Sequence, residues 1–79
     1  MRIEILGDGC AKCRALEENV RQAVAGREGE FEVMAVNDPA RIAHYGLLTL
    51  PGLAIDGELK LRGKAPSVEE IARLLAGQG

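Results

Sequence analysis

Gly7-Asp8-Gly9-Cys10-Ala11-Lys12-Cys13-Arg14 holds both cysteines of a 79-residue chain, and the fold is read outward from it. Before it, Ile3 to Leu6 is an apolar run that predicts a short strand. After it, Leu16, Val20 and Val24 recur every four residues, as one face of a helix does. Cys10 is therefore expected where strand turns into helix, with Cys13 one turn inside. Two cysteines two residues apart at a helix start can close a disulfide with little backbone movement. The unpaired N–H groups and partial positive charge of the helix tip favour a thiolate at Cys10. Lys12 and Arg14 add positive charge nearby.

Length and composition narrow the setting. The chain suits a single domain over residues 1–79, near the lower limit for one hydrophobic core. A net charge of −2 argues against nucleic acid or an acidic membrane as a main partner. No run is long enough to span a membrane, and Met1 leads straight into the first strand. The expectation is a cytoplasmic protein with no signal peptide. In that compartment a lone Cys-x-x-Cys is more often catalytic or metal-binding than a staple, and so short a loop stabilises little.

The remaining elements follow in order. Ala11 to Ala25 reads as the first helix, with Arg14–Glu18 and Glu17–Arg21 at four-residue spacing and Gly26 as its C-terminal cap. Phe31 to Val36 is a second apolar strand, which implies a parallel pair joined by a right-handed crossover. Asp38 and Pro39 open a short helix through Ile42 to Tyr45, closed by Gly46. Leu47 to Ile55 is apolar but divided by Pro51, so the third strand should start just after the proline. Asp56-Gly57 is a hairpin signal leading into Glu58–Arg62, where Leu59 and Leu61 alternate with charged residues as on a half-exposed edge strand. Ser67 with Glu70 forms a capping box before Val68, Ile71, Leu74 and Leu75, the buried face of the last helix. Gly77 to Gly79 should fray.

These pieces resemble the thioredoxin fold in its minimal, glutaredoxin-sized form, and more closely the small prokaryotic redox-active disulfide proteins. The resemblance runs over nearly the whole chain: Ile3-Glu4-Ile5-Leu6-Gly7-x-Gly9-Cys10-Ala11-Lys12-Cys13, Tyr45-Gly46, Thr49-Leu50-Pro51, Ile55-Asp56-Gly57 and Gly63-Lys64-Ala65-Pro66-Ser67. It implies an α/β fold, βαβαββα, with a four-stranded mixed sheet flanked by three helices. It implies a cis Pro51 facing the cysteines, with Leu50 offering its backbone to an extended substrate segment and Gly9 on the same surface. Thioredoxins keep a buried carboxylate beneath the disulfide, which makes Glu4 a candidate proton acceptor for Cys13. The chain lacks tryptophan and has Ala11-Lys12 between its cysteines. Ala65-Pro66-Ser67-Val68 stands where glutathione-dependent relatives carry Gly-Gly and an acidic pair, which argues against glutathione as reductant.

The expected activity is thiol–disulfide exchange with no bound cofactor. Cys10 attacks a substrate disulfide, Cys13 resolves the mixed intermediate and Lys12 stabilises the Cys10 thiolate. The expected partners are disulfide-containing proteins and an electron donor of the thioredoxin-reductase type, with the protein itself a monomer. The rival is a soft-metal carrier for Cu(I) or zinc, or a thiol-based sensor, since two thiolates suit such ions. Metal carriers with this motif run strand, helix, strand, strand, helix, strand. This chain instead places a helix after its second strand and finishes on one. His44, the single histidine, reads as a partly exposed helix residue, and Tyr45 as a packing residue with its hydroxyl at the surface.

Overall fold

The computed structural model describes residues 1–27, 29–46 and 49–77. Its elements are β1 (Arg2–Leu6), α1 (Ala11–Ala25), β2 (Glu32–Val36), α2 (Pro39–His44), β3 (Gly52–Ile55), β4 (Glu58–Arg62) and α3 (Val68–Gly77). The strands form one sheet in the order β2-β1-β3-β4. β1 pairs parallel with β2 and antiparallel with β3, and β3 pairs antiparallel with β4. This is the four-stranded mixed sheet with three helices that the resemblance implies. The expected strand start at Gly52 and the bounds of α1 coincide with the observed ones, while β2 begins one residue later than expected. Leu47 and Leu48, Glu28 in the loop after α1, and the last two residues of the expected frayed end lie outside the described residues.

β1 is the central strand, and its side chains alternate between two different environments. Ile3 and Ile5 face α1 and α3, where they pack with Leu16, Val20, Leu53, Ile55, Ile71 and Leu75, all buried. Leu6 faces the other way, with Ala54, Ile42, Tyr45 and Leu59. Helices α1 and α2 therefore follow two adjacent parallel strands but lie on opposite faces of the sheet. The crevice this opens at the carboxyl ends of β1 and β2 is where α/β sheets place their sites.

Local chemistry accounts for the ends of the elements. Asp38 Oδ1 accepts from Ala40 N–H at 3.0 Å to cap α2, and Ser67 Oγ accepts from Glu70 N–H at 3.2 Å to cap α3. Asp56 and Gly57, with φ of 50° and 84°, make the tight turn of the β3–β4 hairpin. Of the two expected ion pairs on α1, Glu17–Arg21 forms at 2.8 Å, and Arg14–Glu18 does not.

β4 is the half-exposed edge strand expected, but its alternation is interrupted. Leu53 pairs with Leu61 and Ala54 with Leu59, which leaves Lys60 as an extra residue in a β-bulge. The bulge breaks the alternation, so Leu61 packs on the α1–α3 side and Leu59 on the α2 side. β4 thus serves both cores.

Glu4, on the α2 face of β1, is 1% exposed and its carboxylate is fully engaged. Arg41 Nε donates to Oε2 at 2.9 Å and Arg41 Nη2 to Oε1 at 3.0 Å, while the Tyr45 hydroxyl donates to Oε1 at 2.7 Å. The tyrosine hydroxyl accordingly points inward to a buried partner, not to the surface as expected. Hydrogen bonds from Arg41 hold the Glu4 carboxyl below its ordinary pKa despite the burial that opposes them.

Removing the guanidinium would leave that buried carboxylate without its counter-ion. Arg41→Ala is expected to lower Tm by several degrees at neutral pH, and Tyr45→Phe to cost about 1.5 kcal/mol by deleting a hydrogen bond to a charged group. Because the folded-state pKa of Glu4 is depressed from 4.5, this stabilisation is present above that value and is lost as pH falls through the lowered one. The Tm gap between wild type and Arg41→Ala should close on acidification. A gap unchanged from neutrality to about pH 3 would rule the pair out as a source of stability.

Candidate functional site

The two cysteines sit at the start of α1 in the crevice beyond β1. Cys10 is the N-cap, with extended backbone at φ −67° and ψ 169°. Its sulfur accepts the Cys13 N–H at 3.3 Å, in the way a serine or aspartate oxygen caps a helix. A negatively charged sulfur uses such a donor better than a neutral one does. Cys10 is exposed and Cys13 buried, both are free thiols, and their Sγ atoms lie 2.6 Å apart.

Cys13 belongs to the inward face of α1, one turn before Leu16. Burial and the Cys10 side chain push its thiol above the usual pKa, and backbone N–H groups of Asp8 and Cys10 pull it only partway back. The outer sulfur thus has access, and the inner one keeps its proton.

Gly7 makes this approach possible. A Cβ at Gly7 would overlap Cys13 Sγ and stand 3.0 Å from Cys13 Cβ and 3.9 Å from Pro51 Cβ. The buried sulfur and the proline ring therefore share the space over one glycine. The Leu50–Pro51 peptide bond is cis, Pro51 is buried, and half-buried Leu50 packs against the Leu6–Ala54 cluster. On the other side of Cys13 a shallow cleft of about 210 Å³ opens between Asp8, Gly9, Arg14, Glu17 and Asn37. Gly9 is exposed there with φ +86°. Lys12 is exposed on the first turn of α1, with no hydrogen bond or ion pair among the described residues.

Glu4 does not join the site, and its expected role as proton acceptor is corrected. It faces α2 from the opposite side of the sheet to α1, and Arg41 and Tyr45 hold both its oxygens. A carboxylate absent from the sequence expectations takes a place beside the sulfurs instead. Asp8 Oδ1 accepts the Cys10 N–H at 3.3 Å and lies 3.9 Å from Cys13 Sγ. The signal for it was present, since an aspartate two residues before a backbone N–H commonly closes such a turn. Asp8, Cys10 and Cys13 together bring three donor atoms within 4.8 Å of one another.

Residues 1–76 match the family model described as a thioredoxin domain. A protein named thioredoxin from Methanothermobacter thermautotrophicus is 49% identical over 78 residues, covering 96% of this chain and 99% of the relative. Another named thioredoxin, from Methanocaldococcus jannaschii, is 44% identical over 69 residues, covering 87% of this chain and 79% of the relative.

Two outcomes follow from this geometry. Iodoacetamide should modify Cys10 faster than Cys13 by about tenfold or more, mapped by mass spectrometry of the reduced protein at short times. Gly7→Ala should cost about 1–3 kcal/mol in thermal or denaturant unfolding, because the new methyl group and the Cys13 sulfur compete for one space.

Proposed function

The chain belongs to the thioredoxin family and is a thiol–disulfide oxidoreductase, and we propose that it works as a protein disulfide reductase cycling Cys10 and Cys13 between dithiol and disulfide. The observation that carries this reading is the division between the two sulfurs: one exposed at a helix tip, the other buried 2.6 Å behind it. The Cys10 thiolate attacks one sulfur of a substrate disulfide, and the other substrate sulfur leaves with the electron pair. Cys13 then attacks the Cys10 sulfur, the Cys10–substrate bond breaks, and the second substrate thiol departs. Two electrons have passed to the substrate, and the protein holds a Cys10–Cys13 disulfide.

Pro51 stands beside this corner, and Leu50 and Pro51 are assigned to an extended substrate segment, with Gly9, in the cleft across Cys13, assigned to the same substrate. Lys12 adds positive charge next to the nucleophile. The donor that restores the dithiol is assigned to a partner of the thioredoxin-reductase type in preference to glutathione, because the glutathione-binding pattern is replaced by Ala65-Pro66-Ser67-Val68. The proposed setting is the cytoplasm, as a monomer without a bound cofactor. No helix among the described residues is long and apolar enough to cross a membrane.

A soft-metal dithiol site is a second reading, favoured by the three donor atoms of Asp8, Cys10 and Cys13. Against it stands the raised pKa of Cys13, since a metal requires the thiolate. Titrating the reduced protein with Cu(I) or Zn²⁺ separates the two, because a carrier binds tightly at one equivalent.

With dithiothreitol as electron source, the wild type should speed the reduction of insulin disulfides and Cys10→Ser should not. Cys13→Ser should accumulate a covalent adduct with its substrate through Cys10, visible as a mass increase that dithiothreitol removes. Equal insulin-reduction rates for Cys10→Ser and wild type would remove the reductase reading.

A further inference from the structure

We propose that the Asp8 carboxylate accepts the proton of Cys13 when the buried sulfur resolves a mixed disulfide, an assignment that rests on the exchange reading above. In that step the Cys13 S–H bond breaks and its proton passes to Asp8. The freed electron pair forms the Cys13–Cys10 bond, and the bond from Cys10 to the substrate sulfur breaks. The substrate leaves as a thiolate, and Asp8 hands its proton to water.

The step needs a base because Cys13 is only 5% exposed, where a neutral thiol is favoured and bulk hydroxide has poor access. Asp8 Oδ1, 3.9 Å from Cys13 Sγ, is close enough for a sulfur donor, and catalytic hydrogen bonds are often long before substrate binds. The same oxygen is tethered by the Cys10 N–H, so the carboxylate is held against the motif instead of swinging free. Asp8 is itself exposed and lines the cleft that reaches Cys13, which provides the exit for the proton.

The other charged groups near Cys13 fit the role less well. Glu4 is locked by Arg41 and Tyr45 behind the sheet. Glu17 lines the same cleft, one turn further along α1, but its Oε2 accepts from Arg21 at 2.8 and 3.1 Å. Arg14 is the remaining charged residue of the cleft, and a guanidinium cannot accept the proton. β1 contributes Ile5, β2 and its following loop contribute Ala35, Val36 and Asn37, and Pro51 closes the opposite side, none of them ionisable.

The test uses the full-length reduced protein with 5,5′-dithiobis(2-nitrobenzoate), which releases one coloured thiolate when Cys10 attacks and a second when Cys13 resolves. In the wild type the second release should vary little across the mildly acid to neutral range, because the proton passes to a neighbouring carboxylate instead of to hydroxide. In Asp8→Asn it should slow by roughly 10²-fold at about pH 6 and rise about tenfold per pH unit, as expected when only the preformed thiolate reacts. Asp8→Glu should restore much of the rate and the shallow profile. A second release in Asp8→Asn that matches the wild type, or that is slower but keeps the wild-type pH profile, overturns the proposal. If the wild type itself shows no second release, the exchange reading fails and this assignment falls with it.

Discussion

At the end of β1, Gly7 lacks a side chain, and the Cys13 sulfur takes the space one would fill. The other features of the site depend on that close approach. Because Cys13 is pressed against β1, the first turn of α1 is pinned to the carboxyl end of the central strand. Cys10, three residues earlier, is left at the exposed tip of the helix. The pairing of β3 with β1 brings Pro51 to the same spot from the other side. Residues 7, 13 and 51 converge there because a central strand has neighbours on both edges, one parallel and one antiparallel.

The two faces of the sheet are held by different forces. Between β1, α1 and α3 the core is aliphatic, and burial of Ile, Leu and Val side chains supplies its stability. On the opposite face, α2 has six residues and none of them is buried. So short a helix gains little from its own backbone, and the apolar cluster beneath it, where Ile42 and Tyr45 meet Leu6 and Ala54, is small. Arg41 and Tyr45 of the α2 segment reach Glu4 on β1 instead, and this polar anchor sets where the helix sits. Glu4 breaks the apolar run of a central strand, and the network that satisfies it explains how the fold tolerates it.

Features that rest on neighbouring residues were legible in the sequence. The bounds of α1, the Asp38 and Ser67 caps, the Asp56-Gly57 turn and the strand start after Pro51 all depend on chemistry within a few positions. The bulge at Lys60 was not legible, because a period-two pattern assigns Leu59 and Leu61 to one face and only the register with β3 separates them. Glu4 is a charged residue within an otherwise apolar strand, but its partners lie 37 and 41 residues away, where no local pattern reaches. Asp8 is hidden in the sequence for a different reason. It occupies the variable position of a motif read for its cysteines and glycines, and its importance comes from where a short side chain points once the turn has formed.

The unequal roles assigned to the sulfurs follow from helix geometry more than from the residues between them. An N-cap side chain projects off the end of the helix and meets the N–H of the third helical residue. That third residue is one turn along and, if the helix lies on a sheet, can face inward. A spacing of two intervening residues therefore places one sulfur outside and the other against the sheet, close enough to bond. Ala11 and Lys12 are both exposed and lie outside that contact. Replacing them would change the charge and hydrogen bonding around the thiols, and hence the balance between dithiol and disulfide. The inside–outside order of Cys10 and Cys13 would persist, because it is fixed by the cap and by the bare backbone of Gly7.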